Sequence, residues 1–380
     1  MRFLLLNQYY PPDRAPTGRM LHDVARTLVE RGHEVDVLCS RRAYDDGARL
    51  PAAETRDGVR IRRLSATGLG RGAAWRRGLD SISFALLLLP ALMRAPRPDL
   101  VVALTTPPFL GVIAAAVCRL RGLPHAHWLM DVYPDVLSQA GWVRVGGFAY
   151  RVLASAERRS MERARLVLTL GPMMAVRATH VARSVWVPLW AEADPQTPLR
   201  AWPDEPLVLL WVGNFGRGHR FDDFLAAAER LGPTSPLWVF AGKGPRRPQV
   251  EGAARSNPRV RVLDSVESLG AGSVLLASIA PGWEGLIVPH KVQAAFAAAR
   301  PLILIASDAS ECALWVRESG AGWVVAPGDV EGLLAAIEAA RDPAERARRG
   351  QAGLAYARKH FDPARNRGWV ADLLEVAAAR

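Results

Sequence analysis

The sequence predicts two α/β domains, each a parallel sheet covered by helices on both faces. Three observations carry this. Short apolar runs alternate with amphipathic segments of helical spacing from the N-terminus onward. The alternation breaks at a Pro-rich and polar passage, residues 188–206, and then starts again. The chain has 380 residues, more than one compact core usually holds.

The elements follow in order. Residues 3–6 read as a buried strand. Over residues 21–31, Leu21, Val24, Ala25 and Leu28 share one helical face, and Gly32 stops the helix. Residues 34–39, 59–64, 100–104, 126–130 and 166–170 are further strands, the fourth of them ending at Asp131. The second series opens with the strictly apolar strand 207–212, a turn at 213–216 and an amphipathic helix over 221–231. Strand 237–241 leads into Gly242-Lys243-Gly244, and 260–263, 274–277, 302–305 and 322–325 complete the set. Residues 369–378 are helical and are expected to pack back on the first domain. The expected organisation is therefore a Rossmann-like domain over 1–190, a second over 205–360, and a returning C-terminal helix over 361–380.

Residues 74–94 allow two readings. Ala74-Trp75-Arg76-Arg77 precedes an apolar stretch that includes Leu86-Leu87-Leu88-Leu89. One reading is a buried crossover helix. The other is a helix lying on a membrane surface, with Trp75, Arg76 and Arg77 at headgroup level.

Composition narrows the class. Lys and Arg total 49 against 37 Asp and Glu, a formal charge of +12. This favours anionic partners: phosphates, nucleic acid or an acidic lipid surface. Arg-rich coding accounts for part of it. Cys39, Cys118 and Cys312 are far apart and form no CxxC pair, so neither a disulfide framework nor a zinc site is expected. The N-terminal apolar run is too short for a signal peptide, and no uninterrupted stretch is long enough to span a bilayer. A cytoplasmic protein is expected, peripheral to the inner face of the membrane if residues 74–94 bind there.

In an open parallel sheet, ligands bind beyond the carboxyl ends of the strands. The segments that follow the strands are 11–18, 105–108 and 131–135 in the first domain, then 213–219, 242–247 and 284–291 in the second. They are rich in glycines, cations and carboxylates. Pro16-Thr17-Gly18 is read as preceding a helix whose first amides face an anion. Gly213, Gly216 and Gly218 let backbone amides approach a diphosphate, and Arg217 and His219 lie among them. Lys243, Arg246 and Arg247 add charge at the next loop. Asp131 either holds a sugar hydroxyl, takes a proton, or forms an Asx turn or helix cap. Glu284-Gly285-Leu286-Ile287-Val288-Pro289-His290-Lys291 runs from a loop into an Ala-rich helix. Glu311 caps the helix that starts near it or binds a ribose diol. There is no HExxH, DxD or Walker lysine motif, so metal-dependent chemistry is not expected.

These segments, in this order, resemble glycosyltransferase family 4, of the glycosyltransferase B fold. The carriers are Asn7-Gln8-Tyr9-Tyr10-Pro11-Pro12-Asp13 with Pro16-Thr17-Gly18, Arg31-Gly32-His33-Glu34-Val35, Trp128-Leu129-Met130-Asp131 with Pro134-Asp135, Gly213-Asn214-Phe215-Gly216-Arg217, and the Glu284–Lys291 segment. The pattern is similar to the branch that builds bacterial surface polysaccharides, including colanic acid and O-antigen transferases. The resemblance implies two domains facing across a cleft and a retaining, metal-independent transfer from a nucleoside-diphosphate sugar, with no cofactor. It implies Asp131, Arg217 and Glu284 in catalysis. It implies donor contacts from Gly18, Gly213, Asn214, Gly216, His219, Lys243, Gly285, Leu286, Lys291 and Glu311. The sequence departs from the family pattern in two places. Val292, Gln293 and Ala294 stand where a second glutamate is usual, and Asn214 and His219 stand near the usual Arg and Lys. The acceptor is expected to be a glycan, a lipid-linked glycan or a natural-product scaffold. A nucleotide-sugar epimerase and a non-catalytic nucleotide or nucleic-acid binder are the rival readings. No nucleic-acid recognition motif supports the last.

Overall fold

The structure is a computed structural model that describes residues 1–13, 15–43, 47–69, 74–178, 184–191, 202 and 204–380. Much of the expected junction, residues 192–201 and 203, lies outside them. The chain divides into two compact units. One comprises Met1–Val187 with Ala364–Arg380; the other is Pro188–Pro363.

The first unit contains, in chain order, β1 (Arg2–Leu6), α1 (Pro16–Glu30), β2 (Glu34–Ser40), β3 (Ala53–Arg56), β4 (Val59–Leu64) and α2 (Ala74–Arg94). There follow β5 (Leu100–Ala103), α3 (Leu110–Arg121), β6 (His125–Trp128), α4 (Asp135–Gln139), α5 (Phe148–Glu162), β7 (Leu166–Thr169), α6 (Pro172–Arg177) and β8 (Ser184–Trp186). The sheet order is β3-β4-β2-β1-β5-β6-β7-β8. Its neighbours run parallel except β3 and β4. β1 lies inside the sheet, and Phe3, Leu5 and Leu6 are fully buried, which explains an apolar run without alternation.

Three features differ from the sequence reading. β3 was not expected, because Ala-Glu-Thr-Arg has no apolar stripe. Its signal is Asp57-Gly58: both have positive φ, 48° and 77°, and they turn the chain from Arg56 directly back to Val59. This is the geometry of a two-residue hairpin loop. β8 is a short edge strand that was likewise not expected. The third difference is a correction. α1 starts at Pro16, so Pro16-Thr17-Gly18 forms the first helical turn and does not precede it. Proline has no N–H to satisfy there, and its φ suits the first position.

α2 has two apolar faces. Phe84, Leu88 and Leu92 are fully buried in the core with Leu4, Leu6 and Val101. On the other side Trp75, Leu79, Ile82, Leu86, Leu89 and Met93 are exposed. No helix among the described residues is long and apolar enough to cross a membrane.

The second unit contains β9 (Val208–Val212), α7 (Asp222–Leu231), β10 (Leu237–Ala241), α8 (Arg247–Ser256), β11 (Val260–Leu263) and β12 (Val274–Ser278). It continues with α9 (Lys291–Ala297), β13 (Leu302–Ile305), α10 (Glu311–Ser319), β14 (Gly322–Val325), α11 (Val330–Ala339) and α12 (Pro343–His360). The sheet order is β11-β10-β9-β12-β13-β14, all parallel. An aromatic cluster of Trp211, Phe221, Phe224, Trp238 and Phe240 fills its core.

The last helix, α13 (Pro363–Ala379), belongs almost entirely to the first unit. Arg31 donates to Asp372 at 2.7 Å and to Glu375 at 3.1 Å, and His33 Nε2 lies 2.9 Å from Glu375. Arg165 donates to the Ala377 carbonyl at 3.1 Å. Val370, Ala371 and Leu374 are fully buried beneath these contacts.

The two faces of α2 separate in a denaturation experiment. Phe84→Ala is expected to lower unfolding free energy by about 3–5 kcal/mol, through lost burial and a cavity. Leu86→Ser, on the exposed face, is expected to change it by no more than about 0.5 kcal/mol. Urea titrations of the two variants measure both.

Candidate active site

The expected site residues fall into two groups, one in each unit. In the second unit they gather at the carboxyl ends of β9, β10 and β12. Their loops are held together by close backbone approach. Gly213 N–H donates to the Ala241 carbonyl at 2.9 Å, and Phe215 N–H to the Lys243 carbonyl at 2.9 Å. A Cβ on Gly242 would lie 2.0 Å from the Gly213 oxygen, and φ there is 140°. A Cβ on Gly244 would lie 2.6 Å from Asn214 Oδ1. Only glycine allows the two loops to interlock in this way. Gly218 serves a third contact, since a Cβ would meet Ile287 at 2.6 Å and Trp283 at 2.9 Å. Ala280 N–H donates to the Gly218 carbonyl at 2.9 Å. The segment that carries Glu284 and Gly285 is thereby fixed against the first glycine loop.

Lys291, the first residue of α9, occupies the middle of this arrangement. Its Nζ lies 3.9 Å from the centre of the Trp211 ring and 3.2 Å from His219 Nε2. A Cβ on Gly213 would sit 3.3 Å from its Cε. Desolvation lowers the Lys291 pKa to about 7. His219 Nδ1 is 2.7 Å from the Ser278 carbonyl, so that nitrogen carries the proton and Nε2 accepts from lysine. Burial first, and then the neighbouring ammonium, holds the imidazole well below its usual range. His219 is therefore neutral. It orients Lys291 and does not add a second positive charge, which sharpens the role expected from sequence. Ser278 closes the arrangement: its Oγ donates to the Arg220 carbonyl at 2.7 Å and accepts from Arg220 N–H at 2.9 Å.

The remaining residues are placed as follows. Asn214, Arg217 and Lys243 are exposed beside the glycine loops, while Gly216 is half-buried among them. The guanidinium of Arg247 is held by Glu251 at 2.7 Å, Asp264 at 2.5 Å and the Gly242 carbonyl at 2.7 Å. It braces the loop, in contrast to the expectation of added charge for a ligand. Glu284 turns one carboxylate oxygen back to Gly282 N–H at 2.8 Å, and Gly285 has φ 67°. Leu286 is buried, its N–H donating to the Trp283 carbonyl at 3.1 Å. Glu311 is fully buried at the start of α10. The cap of that helix is Ser310, whose Oγ accepts from Ala313 N–H at 3.2 Å, so the capping role weighed for Glu311 belongs to its neighbour.

In the first unit, Asp131 lies three residues past the end of β6. Thr105 Oγ1 accepts from the N–H groups of Met130 and Asp131, at 3.2 Å each. Desolvation raises the Asp131 pKa to about 6. α4 starts only at Asp135, so Asp131 is not its cap. Glu157 on α5 is a buried carboxyl of this unit, pushed up to about 7 by desolvation. Burial, then the charges of Asp131 and Glu157, raises the Tyr133 phenol. Gly18 packs in place of a side chain: a Cβ would lie 2.8 Å from the Tyr9 carbonyl, and its own N–H donates to Ala15 at 3.1 Å. His127 is structural, with Nε2 at 2.9 Å from Ser160 Oγ. All three cysteines are buried and free, and burial raises their thiols.

Sequence reasoning missed Trp211, Ser278 and Glu157. Trp211 reads as core because it sits in an apolar strand. Glu157 lies in a helix rich in charged residues and carries no local mark of burial. Ser278 alone leaves a signal, a hydroxyl closing the apolar run Val274–Ser278.

With this geometry in place, the comparisons with known proteins decide the family. Residues 17–185 match the family described as a glycosyl transferase 4-like domain, and residues 206–342 match glycosyl transferases group 1. The chain belongs to the glycosyltransferases. The transferase is 25% identical over 285 residues to a probable glycosyltransferase, WbjE, of Pseudomonas aeruginosa, covering 69% of this chain and 71% of that protein. It is 22% identical over 381 residues to WcaI of Escherichia coli, a putative colanic acid biosynthesis glycosyl transferase, covering 90% and 92%. Its fold matches HepE of Anabaena, whose crystal structure is a complex with UDP-glucose: TM-score 0.71, 14% identity, 99% and 100% coverage. The transferase thus has the two parallel-sheet domains of the glycosyltransferase B fold.

Lys291 gives the site a pH signature. An unfolded lysine keeps its proton to about pH 10, whereas the folded side chain releases it near about 7. Between those values the unfolded chain binds the extra proton, so this residue makes stability rise with pH across that window and leaves it flat below. Lys291→Met is expected to remove that rise and to increase the melting temperature at pH 7. Thermal unfolding of both proteins from pH 6 to 10 measures this.

Proposed function

We propose that the transferase moves a sugar from a nucleoside-diphosphate sugar to a lipid-linked glycan, with retention of configuration and without a metal ion. The observation that carries this reading is the Lys291 ammonium, held between the Trp211 ring and a neutral His219 beside interlocked glycine loops. Among the described residues no carboxylate forms an ion pair with it. A diphosphate supplies the missing counter-charge. HepE, which shares the fold, was solved with UDP-glucose. That supports a nucleotide-sugar donor here.

The chemistry follows from charge. As the anomeric bond breaks, negative charge gathers on the leaving diphosphate. Lys291, Arg217 and Lys243 offset it, aided by amides of the Gly213–Gly216 turn. Above about pH 7 Lys291 takes up a proton as the anion arrives, so binding weakens as pH rises past that value and is unaffected by this group below it. Gly213, Asn214, Gly216 and His219 shape the phosphate side, while Glu284, Gly285 and Leu286 shape the side that meets the donor sugar. Glu311 serves the ribose. Gly18 lets the first helix of its unit approach the phosphates. The acceptor hydroxyl attacks from the face the phosphate leaves, and a phosphate oxygen takes its proton. Asp131 positions the sugar and acceptor. No cofactor takes part. The enzyme works at the inner face of the membrane, which residues 74–94 contact.

A panel of nucleotide sugars screened by thermal stabilisation identifies the donor, because bound ligand raises stability with occupancy. With that donor, Arg217→Ala and Asp131→Asn are each expected to reduce transfer by about 100-fold or more. Turnover near wild type in either variant sinks the role assigned to that residue. Conversion of the donor with no acceptor present would point to an epimerase instead.

A further inference from the structure

The chain passes between the two units at two places, after Val187 and after Pro363. The first passage is held on both sides. Val187 N–H donates to the Thr169 carbonyl at 2.9 Å, continuing the ladder of β7 and β8. A little further on, the Trp190 carbonyl accepts from His290 Nε2 at 2.7 Å. Only Pro188 and Leu189 lie between, and the proline ring fixes φ at one of them. Leu189, Trp190 and Ala191 are buried. The second passage also starts from a packed residue. The Phe361 ring is buried, 6.0 Å from that of Phe296 and 5.1 Å from that of Trp315.

One helix meets both passages. His290 immediately precedes α9, with φ −60° and ψ −12°, and its side chain caps none of the helix's own amides. It goes to Trp190 instead. Phe296, in the second turn of α9, carries the contact with Phe361. A helix of seven residues does not hold its own place in water; its neighbours do so. Lys291 follows His290 directly, and its half-buried side chain extends to the Trp211 ring and His219. The bond from His290 to Trp190 therefore sets where α9 begins, and with it where the lysine stem starts.

We propose that His290 is a positioning residue for Lys291, and that its hydrogen bond to Trp190 ties the anion-binding ammonium to the first passage of the chain between the units. An anion that draws on Lys291 draws on Trp190 through a single intervening residue. A change of backbone at 188–190 in turn moves the lysine. The tether deepens the donor reading and rests on it for the identity of the anion, whereas its geometry stands without a donor.

Lysine resonances test the geometry. The chain has three lysines, Lys243, Lys291 and Lys359, so protein labelled with carbon-13 at lysine Cε gives three signals. The ring current of Trp211 displaces the Lys291 signal, which is the one lost in Lys291→Met. In His290→Ala, and in His290→Phe, which keeps the bulk without the N–H, that signal is expected to move toward those of the two exposed lysines. In His290→Gln, whose amide can donate, it is expected to stay. Donor KM is expected to rise about tenfold in the Ala and Phe variants, with kcat held within about twofold, and to recover in the Gln variant. Hydrogen exchange over residues 186–191 reads the coupling, with whichever of UDP, ADP, GDP and dTDP raises the melting temperature of the wild type. It is expected to slow in the wild type and to be unchanged in His290→Phe. A lysine signal unmoved in both the Ala and Phe variants overturns the proposal. So does a nucleotide that binds the wild type without altering exchange at 186–191. A signal displaced equally in all three variants overturns it as well, since ring packing and not the hydrogen bond would then place the lysine. A displaced signal in a protein that binds none of the four nucleotides sinks the donor reading and leaves the tether.

Discussion

An ammonium group held partly out of water, with an aromatic face and a neutral imidazole as its neighbours, sets the terms for the rest of the second unit. Lys291 can stay there only because His219 presents a lone pair, and His219 presents one because the Ser278 carbonyl takes its proton-bearing nitrogen. Ser278 in turn binds both the N–H and the carbonyl of Arg220. The loop after β9 is therefore positioned from the end of β12. Gly213 completes the constraint, since any side chain there would crowd the lysine stem. A carboxylate in place of His219 would neutralise the group and remove its reason to attract an anion.

The glycines divide by what touches them. Those at 242, 244 and 218 admit a carbonyl, an amide oxygen and an indole, respectively, within distances that no Cβ tolerates. They do not merely turn the chain; they let three loops from three strands share one small volume. Parallel sheets of this kind carry many unrelated activities, and the particular chemistry resides in what these loops bring together. Here they bring one half-buried cation and exposed ones, with backbone amides between.

Periodicity made the parallel strands and most of the helices legible, because β1, β9, β10 and β13 are buried on both faces and their sequences are unbroken apolar runs. It did not reveal β3, whose residues pair with β4 at the sheet edge and bury no stripe. The turn Asp57-Gly58 was the available clue. Site loops were legible by position, since strands announce their carboxyl ends. Partnerships were not. Nothing in the run Leu207–Val212 distinguishes Trp211 as the platform for a lysine 80 residues later, and the tautomer of His219 follows from a carbonyl donated by a distant strand. Likewise the sequence offered a buried or a surface role for α2, whereas the helix has a face for each.

The return of α13 to the first unit has a consequence for how the protein is made. The ribosome delivers Met1–Val187 first, yet Arg31, His33 and Arg165 must wait for partners encoded at residues 372–377. The intervening unit, Pro188–Pro363, is continuous in the chain and needs nothing that follows it. Synthesis from the N-terminus therefore does not fix the order of completion. The unit that emerges second has all of its residues before the unit that emerges first, which waits for residues 372–377 to complete the contacts of Arg31, His33 and Arg165.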